Sequence, residues 1–333
     1  MAIYFLMCSE RSGSNFITKL LNGHNDICGP STKHIINPVA RNIFRYRDLK
    51  DENNWNELLT DIFNLMNIEF SIWKKNFTLE ELHQIAPVGD IKALIENIFM
   101  AEAIENGKKN VFIKENHVYE FLPFLLLNFP ESKYIYQTRD PRDMALSWKK
   151  NLDHPGGVVQ AARQWQKDQQ NTLKNFIELE KIGKAYFVRY EDLITDSDRY
   201  TKEIVEFLGL QHDTNIENFY QDEMTQKNSR MQEAWNNLSK GVMKDNKKKY
   251  LQELSTGEIK AIEKICYYEM KYLGYNTEYK KCELDDYSDN EIEKLNMEEV
   301  KDIRYIRSDG VKANMEAKKI FYQKIITSSK DSD

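Results

Sequence analysis

No run of apolar residues in the sequence approaches the roughly 18 needed to cross a bilayer. The opening apolar run, Ile3 to Met7, has no basic segment before it and is too short for a signal peptide. A cytoplasmic protein without a transmembrane segment is therefore expected. Cysteine is scarce: Cys8, Cys28, Cys266 and Cys282 show no C-x-x-C spacing, and a chain of 333 residues does not need disulfides to fold, so reduced thiols are expected. Positive charge is not in excess. The 47 Lys and Arg face 53 Asp and Glu, a net charge of −6, which argues against general nucleic-acid binding because a phosphate backbone selects a basic face. The sequence also lacks internal repeats, low-complexity tracts and any histidine–cysteine cluster with metal-ligand spacing, so no metal is expected.

What is present, 41% hydrophobic and 30% charged residues, suffices for one large α/β domain, alone or with additions. The segment Ile3–Met7 is rich in strand formers. The polar turn Ser9-Glu10-Arg11-Ser12-Gly13-Ser14 follows it, and then Phe16 to Leu21 at helical spacing. Val111–Ile113, Tyr134–Tyr136 and Ala185–Val188 read as further strands, with helices at Phe121–Leu127, Tyr200–Leu208 and from Ser255 to about Leu273. At a second strand-to-helix junction Asp140 is placed to N-cap and Pro141 to take the first helical position. Two such junctions imply a parallel sheet. Asn53 to Asn106 has helical spacing, with a capping box at Thr78-x-x-Glu81. Beyond Leu284 the chain is charge-rich, with weak helical spacing near Val311–Ile326, and reads as an appendage or an oligomer contact.

The first turn is an anion cradle in the making. Backbone N–H groups at a helix start converge with the helix dipole. Gly13 admits close approach, Arg11 adds fixed charge, and Ser12 and Ser14 add hydroxyls; the plain alternative is an ordinary βα turn. The lysine and the earlier glycine of G-x-x-x-x-G-K-[ST] are missing, so the cradle suits a phosphate-like group held without that motif's magnesium arrangement. In the second junction Arg139 ends a strand and Ser147 stands two turns into the next helix, where the two can flank one anion. The alternative is an arginine paired with a helix-terminal aspartate.

Ser9-Glu-Arg-Ser-Gly-Ser-Asn-Phe and Arg139-Asp-Pro-Arg-Asp-Met-Ala-Leu-Ser147, in this order, resemble the two cofactor motifs of the sulfotransferases that use 3′-phosphoadenosine-5′-phosphosulfate (PAPS). The resemblance extends through Val188-Arg-Tyr190-Glu-Asp-Leu and Trp235-Asn-Asn-Leu-Ser-Lys240 to Leu273-Gly-Tyr275, covering about residues 1–276. It implies an α/β three-layer sandwich on a mainly parallel sheet, similar to the P-loop NTPases, with a helical insertion at about 40–107. Residues 277–333 form a charged extension outside it, available for a homo-oligomer contact. Arg11, Ser12, Gly13, Ser14, Asn15 and Phe16 fall in the 5′-phosphosulfate loop, and Arg139 and Ser147 in the 3′-phosphate motif. Tyr190 falls beside the adenine and Lys240 in the basic loop that closes over the phosphate.

By the same resemblance Lys114 stands at the active-site edge, and the co-substrate is PAPS. Transfer needs a base for the acceptor hydroxyl. Relatives carry K-x-H after the third strand or a glutamate about twenty residues past the first loop. Here position 116 is Asn, and the second place reads Cys28-Gly-Pro-Ser-Thr-Lys33-His34. His34, His117 and Glu115 remain alternatives for the base. The insertion and the loop Asn151–Gly157 are expected to select the acceptor, a glycan, a lipid or a small natural product. A magnesium-dependent nucleotide kinase and a nonenzymatic adenosine-bisphosphate-binding module are the competing classes.

Overall fold

The computed structural model describes residues 1–151, 153–154, 156–302 and 309–328. Its centre is a five-stranded parallel sheet: β1 (Ile3–Cys8), β2 (Ile27–Cys28), β3 (Asn110–Lys114), β4 (Lys133–Thr138) and β5 (Ala185–Arg189), in the order β2-β3-β1-β4-β5. Successive residues of β1 point to opposite faces, as the pleat requires. Ile3, Phe5 and Met7 enter one core with Val111, Ile113, Tyr134 and Tyr136, while Tyr4, Leu6 and Cys8 enter a second with Phe112, Ile135 and Val188. Both faces are therefore covered, which is the three-layer α/β architecture expected.

The smaller core is closed by α1 (Ser14–Asn22) and by the later helix over Ser197–Leu208, through Ile17, Leu20, Leu21, Ile204 and Val205. The larger core takes α2 (Ile36–Asn42), α3 (Glu52–Met66), α4 (Leu79–Gln84) and α5 (Ile91–Glu105). Here the Thr78–Glu81 capping box is formed. On the same face lie α6 (Leu122–Asn128), α7 (Pro141–Lys149) and the 24-residue α8 (Val158–Lys181). The remaining helices in chain order are α9 (Tyr190–Thr195), α10 (Ser197–Leu208), α11 (Glu223–Ser229), α12 (Tyr250–Glu253), α13 (Thr256–Tyr272), α14 (Lys281–Asp286), α15 (Asp289–Asp302) and α16 (Asp309–Ser328). No described helix is long and apolar enough to cross a membrane.

The charge-rich last helices are packed on the domain. Ile292 of α15 is buried, and Glu299 accepts hydrogen bonds from the N–H groups of Val158 (2.9 Å) and Val159 (3.3 Å), placing a carboxylate at the start of α8. From α16, Phe321 is fully buried against Tyr46 at a ring separation of 6.2 Å, and its carbonyl accepts from Arg45 Nη1 at 3.0 Å. One polar face of the sequence thus hides a few apolar anchors, which is enough to dock each helix.

Candidate functional site

Parallel strands deliver their C-terminal ends to one edge, and ligand sites of open α/β sheets lie there. The β1–α1 turn holds its shape through its own polar groups. Ser12 Oγ donates to the Ser9 carbonyl (2.7 Å) and the Ser12 carbonyl accepts from Gln137 Nε2 (2.8 Å), so Ser12 is fully buried inside the turn. Gly13 has φ 86°, and a Cβ on it would lie 2.4 Å from Tyr190 Cδ2. Glycine is required here by backbone conformation and by the ring alike. No side chain caps α1, so its first N–H groups are left for a ligand.

Arg11 leaves this turn at φ 58° and reaches Ser147, with Nε and Nη2 at 3.1 and 2.9 Å from Oγ. Burial, with Arg139 beside it, pulls its pKa down to about 10. Arg139 lies over the Tyr190 ring at 4.7 Å and donates to the Arg11 carbonyl at 3.2 Å and to the Asn246 carbonyl at 3.4 Å. Its Nε is buried without a partner among the described residues. The helix-terminal aspartate is engaged by the other arginine of the motif. Asp140 caps α7 and pairs with Arg142 at 2.7 Å; Arg142 also pairs with Glu263 at 2.6 Å and stacks on Tyr250. Arg142 is thus structural, and Arg139 faces a cavity.

That cavity, of about 600 Å³, is lined by Arg11, Gly13, Ser14, Asn15 and Phe16, by Arg139, Ser147 and Tyr190, and by Asn246 and Lys249 from a late loop. Asn246 Nδ2 also donates to the Tyr190 hydroxyl at 2.7 Å. Lys240 does not line it: it is exposed, with Nζ at 3.1 Å from Asn237 Oδ1, and the neighbouring Gly241 lines the wall instead. Asn246 and Lys249 went unread in the sequence, although the run Lys244-Asp-Asn-Lys-Lys-Lys249 is a visible basic signal.

Beyond Arg11 lies a titratable cluster whose members His34, Lys114, Glu115 and His117 are not among the residues lining the cavity. Glu10 accepts from Asn116 Nδ2 (2.6 Å) and lies 2.9 Å from His154 Nε2. Burial pushes the Glu10 carboxyl up, but His154, His117 and Lys114 outweigh it and bring it down to about 2. Lys114, at the end of β3, is buried and acts on Glu10, Glu115 and His34 through its charge. His34 is buried at φ 56°, with Nδ1 3.5 Å from Glu115 Oε2. Burial, with Lys318, Lys114 and His117 nearby, pushes its pKa well below the ordinary histidine value. Glu115 Oε1 accepts the Ile36 N–H at 3.0 Å, and burial raises this carboxyl to about 7. His117, also at positive φ, has Nε2 3.9 Å from Asp168 Oδ1. Of the loop Asn151–Gly157, Leu152 and Pro155 lie outside the described residues. Asp153 lines the cavity, and His154 stacks edge-on against Trp148 at 4.3 Å.

Buried polar atoms are normally satisfied. At the C-terminal edge of the sheet Glu115 Oε2, Asn116 Oδ1, His117 Nε2, Gln137 Oε1 and Arg139 Nε lack a hydrogen-bond partner among the described residues, as do several buried atoms elsewhere in the fold.

An α/β protein with an uncapped, arginine-bearing turn at the first strand end has the scaffold on which phosphate-type anion sites are built. The model of the sulfotransferase family matches residues 4–214, more than half of the chain, and the chain belongs to that family. Among solved structures it is similar to the sulfotransferase domain of the olefin synthase of Synechococcus PCC 7002, at 19% identity over 80% of this chain and 95% of that one, with a TM-score of 0.51. The sulfotransferase domain from the curacin biosynthetic pathway matches at 18% identity, over 83% and 98%, with a TM-score of 0.51. At these identities the likeness establishes the fold. No curated protein matches the sequence.

Proposed function

We propose that this sulfotransferase moves a sulfuryl group from PAPS onto a hydroxyl of a glycan, lipid or small natural product. The observation that carries the reading is the meeting of Arg11, Ser147 and Arg139 at one cavity whose volume suits a nucleotide. Arg11, Ser14 and the free N–H groups of α1 are suited to the 5′-phosphosulfate, Arg139 with Ser147 to the 3′-phosphate, and Tyr190 with Phe16 to the base.

In the transfer, the acceptor oxygen forms a bond to sulfur as the bond between sulfur and the 5′-phosphate oxygen breaks. The acceptor proton goes to a base, and adenosine 3′,5′-bisphosphate leaves. Arg11 and Lys114 stabilise the charge that develops on the leaving phosphate. His34 suits the base. Its Nδ1 faces Glu115, which leaves Nε2 for the proton, and burial with the neighbouring cations keeps the ring neutral while lowering its basicity, so the support for the role is positional.

The test is calorimetric titration with adenosine 3′,5′-bisphosphate and with 5′-AMP. Arginine and hydroxyl contacts to the 3′-phosphate are together worth about 2–4.5 kcal/mol, a preference of about 30- to 2,000-fold. Arg139→Ala is expected to erase most of it while sparing 5′-AMP. Equal affinity of the wild type for both would defeat the reading. Since positive side chains serve the leaving group, transfer is expected to survive EDTA; loss restored by magnesium would favour a kinase. Tight bisphosphate binding with no transfer to any acceptor in a labelled-PAPS screen would leave a binding module.

A further inference from the structure

The family model ends at residue 214, yet α16 reaches the edge of the candidate active site. The inner face of this helix runs through Asn314, Lys318, Phe321 and Tyr322, at the three- and four-residue spacing that stacks side chains. Asn314 and Phe321 are buried. The Tyr322 hydroxyl lies 3.5 Å from Asn37 Oδ1, and Asn37 Nδ2 donates to the Asn116 carbonyl at 2.9 Å. One residue before Asn37, the Ile36 N–H holds Glu115. The helix therefore meets the segment that follows His34, and through Asn37 is linked to the one that carries Glu115 and His117; Lys318 sits one turn before Tyr322 on that face.

The groups facing this point come from several elements. Lys318 acts electrostatically on Glu115, Lys114 and Glu10. His34 sees Lys318, Lys114 and His117, and its ring lies 5.7 Å from Phe70. Two further cations lie on this face: Arg41 pairs with Glu120 at 2.7 Å and lies 5.8 Å from the Tyr322 ring, and Arg45 donates to the Phe321 carbonyl and lies 5.9 Å from the same ring, while Asp61 accepts from the Tyr46 hydroxyl. Glu115 Oε2 has no hydrogen-bond donor among the described residues and points at His34 Nδ1.

We propose that Lys318 is a positioning residue for the transfer: its ammonium keeps the Glu115 carboxylate as acceptor for the His34 Nδ1–H, so that His34 Nε2 is presented bare to the acceptor hydroxyl. The proposal rests on the transfer reading above and deepens it. Without Lys318, Lys114 is left to oppose the burial of Glu115, and the carboxyl beside His34 holds its own proton to a higher pH. It then becomes a donor to Nδ1, and the ring presents Nε2–H, which cannot take a proton. A helix outside the family's matched region thus sets which tautomer of the base is available.

Ring-nitrogen NMR on the full chain labelled with ¹⁵N reads the tautomer directly, the His34 signals being identified by their loss in His34→Gln. In the wild type the Nδ1–H form is expected above a midpoint near pH 7, where Glu115 ionises. Lys318→Met should move that midpoint up by about one pH unit or more, and Lys318→Arg should restore it. Lys318→Gln gives the same answer if the Met variant does not fold, and Glu115→Gln should remove the dependence. An unchanged midpoint in the folded uncharged variant overturns the proposal. Titrating the same samples with adenosine 3′,5′-bisphosphate separates the two readings. Affinity there is expected to be equal in the wild type and Lys318→Met. Absence of binding in the wild type would strike the transfer reading, whereas an unmoved midpoint with intact binding would strike only the role of Lys318.

Discussion

Arg11 and Ser147 stand 136 residues apart and are joined by two hydrogen bonds, at 3.1 and 2.9 Å. The two strand-to-helix junctions therefore share one corner, and an entering phosphate must take over Arg11 donors that now serve the Ser147 hydroxyl. Arg11→Ala is expected to weaken adenosine 3′,5′-bisphosphate binding by about 1.5–3 kcal/mol, and Ser147→Ala by about 0.5–1.5 kcal/mol. Because the pair is in contact, the double variant should lose less than the sum. Unchanged affinity of Arg11→Ala in calorimetry would remove that residue from the site.

The two arginines of Arg139-Asp-Pro-Arg142 should separate cleanly in experiment. Arg142 is buried between Asp140 and Glu263, so Arg142→Ala strands two carboxylates and should cost about 3–5 kcal/mol in urea denaturation. Arg139→Ala breaks no ion pair among the described residues and should cost far less stability while losing the bisphosphate preference. The opposite pattern would exchange their assignments.

For the base, His34→Ala is expected to lower kcat by about 10²–10⁴, with bisphosphate affinity nearly unchanged, and His117→Ala to have a milder effect. Single-turnover measurements with a transferring acceptor rank the two. A larger loss in His117→Ala would move the role to that histidine.

Burial raises the Glu115 carboxyl to about 7. Between the ordinary value of 4.5 and about 7 the folded chain binds its proton more tightly than the unfolded one. This contribution to stability is complete below the lower value and is lost as pH rises through the upper. Glu191, also raised by burial to about 7, acts in the same direction. Glu10, held at about 2, acts oppositely: its contribution is present above 4.5 and is lost on acidification toward 2. Glu115→Gln should therefore lose less stability from pH 5 to pH 8 than the wild type, by on the order of 1–3 kcal/mol. Parallel urea midpoints in the two proteins at both pH values would contradict this.

Four strands and both junctions were legible because each pairs a short apolar run with a turn signal. β2 was not, since a two-residue strand leaves no periodicity to read. The spacing of Arg139 and Ser147 was visible, but which arginine takes Asp140 depends on Glu263, 121 residues away. Lys318 gave no signal at all: a lysine in a charge-rich helix looks solvated until Phe321 and Asn314 are seen buried on either side of it.

The docking of Phe321 against Tyr46 also orders events during synthesis. Arg45 and Phe321 are 276 residues apart, so at about 5–20 residues per second the pocket around Tyr46 waits about 14–55 s for its plug. Over that interval the apolar surface that Phe321 covers, at the seam of α2 and α3, is open to other chains.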